Sequence, residues 1–100
     1  MPAFGTSVTH NLGQHKATEK LQHFLEQVRE RYADQLSDMR GDWSEQGLEF
    51  AFKTMGMAVQ GNLTVEDGAV HVNGKLPLAA ALFRGRIEQA IRTELEKLLT

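Results

Sequence analysis

The sequence predicts an α+β domain built as a two-layer sandwich, a four- to five-stranded antiparallel meander with two helices packed on one face. Three observations carry this. Two segments near the ends, Gln14 to Leu36 and Phe83 to Leu99, repeat their apolar residues every three or four positions. The stretch between them, Met39 to Leu76, alternates with period two, and three turn signals divide it into four strands.

Taken in order, Phe4 to His10 fits an edge strand with Val8 turned inward. The first helix follows, its stripe drawn by Ala17, Leu21, Phe24, Leu25, Val28, Tyr32 and Leu36 against a face of Glu, Gln, Lys, Arg and His. Gly13 or Asn11 supplies its start, and Glu19 lies near the positive end of the helix dipole, where a carboxylate is favoured. Ser44-Glu45-Gln46-Gly47 closes the first hairpin, Met55-Gly56 the second and Asp67-Gly68 the third, the last a pair of residue types that tolerate positive φ. The C-terminal helix carries Phe83, Ile87, Ala90, Ile91, Leu95, Leu98 and Leu99 on one stripe.

These turns impose registers that the residues must satisfy, because a shift by one position sends every apolar side chain to the other face. Around Asp67-Gly68, Val65 faces Val70, Leu63 faces Val72, Gly61 faces Gly74 and Val59 faces Leu76. Around Met55-Gly56, Phe52 faces Val59, Phe50 faces Gly61 and Leu48 faces Leu63, while the first hairpin sets Trp43 opposite Leu48 and Gly41 opposite Phe50. One face is apolar throughout. The other collects Arg40, Asp42, Glu49, Lys53, Gln60, Asn62, Thr64, His71, Asn73 and Lys75, as an antiparallel sheet with one wet face requires. Both helices therefore share the apolar side.

A chain of 100 residues holds a single domain with a single core, and its 41% hydrophobic, 24% charged composition is that of a globular protein. The absence of cysteine removes disulfides, thiolate metal sites and thiol nucleophiles, and suits a reducing compartment. Met1 to Ser7 lack the basic start and apolar run of a signal peptide, and no stretch approaches the roughly 20 apolar residues that span a bilayer. A cytoplasmic protein that is not transmembrane is expected. Eleven basic and thirteen acidic residues give a net charge of -2, interspersed along both helices, so no basic face offers itself to nucleic acid.

Four histidines invite a metal, and His15, Glu19 and His23 fall in one helical row. The row is too long: His15 and His23 are about 12 Å apart at 1.5 Å rise per residue, beyond the reach of one ion. No metal site and no cofactor are expected. His10 and His71 lie on different elements with no serine, carboxylate or second base obliged to be near, and the chain lacks a nucleophile elbow, a Walker loop and a dinucleotide fingerprint. Enzyme activity is not expected, although small folds assemble sites from residues distant in sequence.

Two features remain. Gly41, Phe50, Gly61 and Gly74 are adjacent across four strands of the apolar face, and glycine inside a strand marks a close approach to the backbone. Either Phe50 or a tightly packed helix covers the glycines, or the space beneath the C-terminal helix is an apolar pocket floored by Gly61 and Gly74 and walled by Phe50, Phe52 and Met57. Leu76 to Phe83 is an uncharged run followed at once by Arg84-Gly85-Arg86. Buried, it is a crossover and first helical turn; exposed, its Leu78, Leu82 and Phe83 with Arg84 and Arg86 form a contact patch. Gly85 then marks close packing or a local break.

His10-Asn11-Leu12-Gly13 before a charged helix, the strand Gly61-Asn62-Leu63-Thr64-Val65, and Leu82-Phe83-Arg84-Gly85-Arg86-Ile87-Glu88 with Ile91, Leu95 and Leu98 resemble the small bacterial polyhydroxyalkanoic acid system protein family, or granule-region family, from about Val8 to Leu99. The resemblance implies association with the synthesis, storage or use of polyhydroxyalkanoate, with the granule surface or granule proteins as partners. It implies no catalytic residues. The order of helix, meander and long C-terminal helix is also similar to a reduced helix-grip lipid-binding fold, a fold-level analogy only. Three functions are thus expected to compete: a non-enzymatic accessory protein making apolar contacts through Leu78 to Phe83, a carrier holding an acyl or other apolar small molecule between sheet and C-terminal helix, and a module that pairs as a homodimer.

Overall fold

In the computed structural model, which describes residues 3–100, the chain forms β1 (Ala3–Thr9), α1 (Gln14–Arg31), β2 (Leu36–Trp43), β3 (Gly47–Thr54), β4 (Met57–Val65), β5 (Ala69–Lys75), a 3-10 helix (Leu78–Phe83) and α2 (Arg84–Leu99). The strands make one antiparallel sheet in the order β1-β5-β4-β3-β2. The meander is β2 to β5, and β1 returns to pair with β5. Its register sets Phe4 opposite Gly74, Thr6 opposite Val72 and Val8 opposite Val70. Every register read from the hairpins within the paired strands is present: Val65 with Val70, Leu63 with Val72, Gly61 with Gly74, Phe52 with Val59, Phe50 with Gly61, Leu48 with Leu63, Trp43 with Leu48 and Gly41 with Phe50. At the Met55-Gly56 turn both residues take positive φ, 53° and 77°, the primed geometry whose twist matches that of the flanking strands.

Three local features differ from expectation. The first helix ends at Arg31 instead of Leu36: the Tyr32 carbonyl accepts the N–H groups of Gln35 (2.9 Å) and Leu36 (3.0 Å), turning the chain back so that Leu36 opens β2. Within β2, Asp38 and Met39 together oppose Phe52, a bulge in which Asp38 takes a φ of 51°. Neither Asp67 nor Gly68 takes positive φ. Their turn is shaped from outside, since His10 donates its N–H to the Gly68 carbonyl (2.9 Å) and its Nε2 to the Glu66 carbonyl (3.0 Å).

The helices share the apolar face. From α1, Ala17 and Leu21 are buried; from α2, Leu95 and Leu99; they meet Leu48, Leu63, Val65, Val70 and Val72 of the sheet, with Phe4 and Val8 of β1 and Leu76 beyond β5. Burying each Leu or Val stabilises the fold by about 1.5–3 kcal/mol. α1 begins at Gly13 with a φ of 83° and has no side-chain cap of its own; the Asp67 carboxylate accepts the Gln14 N–H (3.0 Å) from across the fold, placing a negative charge at the helix start. α2 packs mainly against β1 and α1. Its Glu88 carboxylate accepts the Gly5 N–H (2.8 Å), so the helix covers part of an edge that otherwise offers unpaired backbone groups.

Candidate functional site

The uncharged run after β5 is where an apolar group reaches solvent. Leu76 is buried, and Pro77, with φ -59° and ψ 151°, directs the chain away from the sheet into the 3-10 helix. Ala80 packs against the core, but Leu78 is 81% exposed, Leu82 92% and Phe83 52%. Of the two readings of this segment, the exposed one is the structure's. Arg84 and Arg86, both exposed, follow within one turn, and the next acid, Glu88, is engaged with the Gly5 N–H. The five patch residues thus lie on one short stretch that is apolar on one side of Phe83 and cationic on the other. Gly85 is neither closely packed nor a break: nothing lies within 4 Å of where a Cβ would stand, and α2 runs through it.

The expected apolar pocket is not assembled as the glycine row suggests. The Phe50 ring covers Gly61, its Cζ 2.9 Å from where a Cβ would stand, and the Phe4 ring lies against Gly74, leaving no room for a Cβ there. The floor is therefore occupied by two rings. Phe50 and Phe52 stack at 6.3 Å with an interplanar angle of 16°, and Phe52 and Met57 are half-buried on the part of the sheet away from β1, whereas α2 packs mainly on β1. Phe4, the residue that fills the space, carries no signal in the sequence beyond its place in the edge strand.

A recess of about 510 Å³ does exist, on the opposite, polar face, where Arg40, Asp42, Glu49, Gln60, Asn62, Asn73 and Lys75 line it. Next to it the structure brings together three residues that no local pattern connects. Ser7 of β1 stands opposite His71 of β5, and its Oγ is 2.7 Å from the ring Nδ1; the ring Nε2 is 2.6 Å from Oε1 of Glu66, in the turn before β5. The sequence places His71 on the wet face but gives it no partner, because Ser7 reaches it only through the pairing of the first strand with the last.

The remaining histidines have structural partners. His15 pairs with Glu19 at 2.8 Å and His23 with Gln27 at 3.3 Å, both on the exposed face of α1. His10 is buried, and its ring joins the Leu12 N–H to the Glu66 carbonyl. Among the described residues no group of three His, Cys, Asp or Glu side chains is arranged to hold a metal ion, and no helix is long and apolar enough to cross a membrane.

No curated protein and no solved structure matches the chain. A family model does, over residues 6–99, from the strand that carries Ser7 through the 3-10 patch to the buried end of α2. The chain belongs to the family described as "Putative polyhydroxyalkanoic acid system protein".

Proposed function

We propose that the protein is an accessory protein of the polyhydroxyalkanoate system that contacts the apolar surface of the polymer granule through Leu78, Leu82 and Phe83. The observation that carries this is the exposure of three large apolar side chains on one 3-10 helix and its end, with Leu82 92% exposed. A soluble domain of this size has little reason to leave such a cluster in water, and contiguous exposed apolar groups mark contact surfaces. Family membership supplies the chemical context, a polyester whose surface is apolar. Arg84 and Arg86 border the patch and keep the adjoining helix turn hydrated, so the segment rests on a surface without inserting further.

Sedimentation of purified protein with polyhydroxyalkanoate particles tests this. The wild type should co-sediment above a control protein, and Leu82→Asp should abolish most of the adsorption while changing folding stability by less than about 0.5 kcal/mol, as expected of an exposed site. Equal sedimentation of the wild type and the control protein overturns the reading.

A further inference from the structure

We propose that Ser7, His71 and Glu66 form an ester-cleaving relay on the open face of the sheet, a role independent of the granule contact. The hydrogen-bond order fixes the direction of proton flow. A carboxylate only accepts, so the His71 nitrogen 2.6 Å from Glu66, Nε2, carries the proton. That leaves the lone pair on Nδ1 for the Ser7 hydroxyl, 2.7 Å away. A serine whose hydroxyl donates to an imidazole that is itself oriented by a carboxylate is the arrangement that activates a nucleophile. The ring is used in the opposite sense from the familiar hydrolase triad, in which Nε2 faces the serine; either nitrogen serves, since the proton taken on one is balanced by the hydrogen bond donated from the other.

The surroundings indicate the substrate. Ser7, His71 and Thr64 form one cross-strand row, and the next row on the same face is Gly5, Asn73 and Asn62, about 7 Å away at two residues along each strand. That row begins the polar recess. Its amides, with Gln60, suit carbonyl oxygens, and its charges balance, since Asp42 and Glu49 line the recess together with Arg40 and Lys75. The site therefore fits an uncharged ester, its carbonyl at Ser7 and its further polar atoms toward the Asn73 and Asn62 amides. The Ser7 backbone N–H points out of the sheet edge, on the same side as that of Gly5 by the alternation of the strand, and so is not committed to β5.

The chemistry is two acyl transfers. Ser7 Oγ bonds to the ester carbonyl carbon as its proton passes to His71 Nδ1, and Glu66 holds the imidazolium; collapse breaks the C–O bond, and the departing alcohol takes the proton from Nδ1. Water then attacks the acyl-serine with His71 again accepting its proton, releasing the carboxylic acid and restoring the Ser7 hydroxyl. Ser7 and His71 are the catalytic residues, and Glu66 is a positioning residue.

The test is covalent labelling with a fluorophosphonate, read by peptide mass spectrometry, together with hydrolysis of two p-nitrophenyl esters. Ser7 should be labelled, and His71→Gln should slow that labelling about a hundredfold, the lower end of what a positioned base contributes. For Glu66, ring nitrogen shifts should show the Nε2–H tautomer of His71 in the wild type and a mixture in Glu66→Gln. Hydrolysis of p-nitrophenyl butyrate should match or exceed that of p-nitrophenyl hydrogen glutarate, and Ser7→Ala should remove the hydrolysis of both. Labelling of Ser7 no faster than that of Ser37 and Ser44, or unchanged in His71→Gln, overturns the relay; faster hydrolysis of the glutarate ester overturns the assigned substrate class.

Discussion

His10 is a buried side chain with both ring nitrogens engaged, and it ties the end of β1 to the turn before β5. Nδ1 accepts the Leu12 N–H at 3.1 Å, so Nε2 carries the proton it donates to the Glu66 carbonyl. Because the same Glu66 orients His71, this link also positions the base of the proposed relay. Removing the ring strands one donor and one acceptor, so His10→Ala should lower the unfolding free energy by about 1–3 kcal/mol in a urea titration. Gly74 makes the opposite kind of demand, for absence of a side chain. A Cβ there meets the Phe4 ring and, at 2.6 Å, the backbone carbonyl of Gln60, which cannot yield as a ring can. Gly74→Ala should destabilise by about 1–3 kcal/mol, the range of overpacked cores, and a midpoint unchanged in the same titration would show that β1 can move aside.

Among the elements, α2 serves two masters: its last turns bury Leu95 and Leu99, while its first turn holds the patch at the surface. Gly85 sits in that first turn in open space with an ordinary φ, so the backbone freedom of glycine brings nothing to the fold. Gly85→Ala should raise the melting temperature, worth roughly 0.5–1 kcal/mol of helix propensity. A fall instead would mean that the junction between the 3-10 helix and α2 needs the smaller residue. The 3-10 segment is the element whose type no periodicity revealed, because an apolar run of six to eight residues has neither a strand's alternation nor a helix's stripe, and only the direction set by Pro77 decides which side chains meet water.

At the scale of the whole molecule, cover is uneven: the helices and the Glu88 contact protect the β1, β5 and β4 side of the sheet, while β2 is an exposed edge with a bulge. Hydrogen exchange should therefore be slowest for the amides around Leu63, Val65, Val70 and Val72 and fastest among the strands for β2; uniform protection across the five strands would show that the sheet opens only as a unit. The sequence was sufficient for the hairpin registers, the apolar face and both helical stripes, since Val65 against Val70 or Trp43 against Leu48 follows from side-chain alternation across a short turn, and these are local constraints. It also located the patch residues, but not their exposure. What only the tertiary structure decided are the relations between distant segments: Phe4 filling the space over Gly74, α2 lying along β1 and leaving Phe52 and Met57 half-covered, and Ser7 meeting His71. Each depends on where the first strand docks against the last, a choice fixed by the packing of the whole core and written in no single stretch of residues.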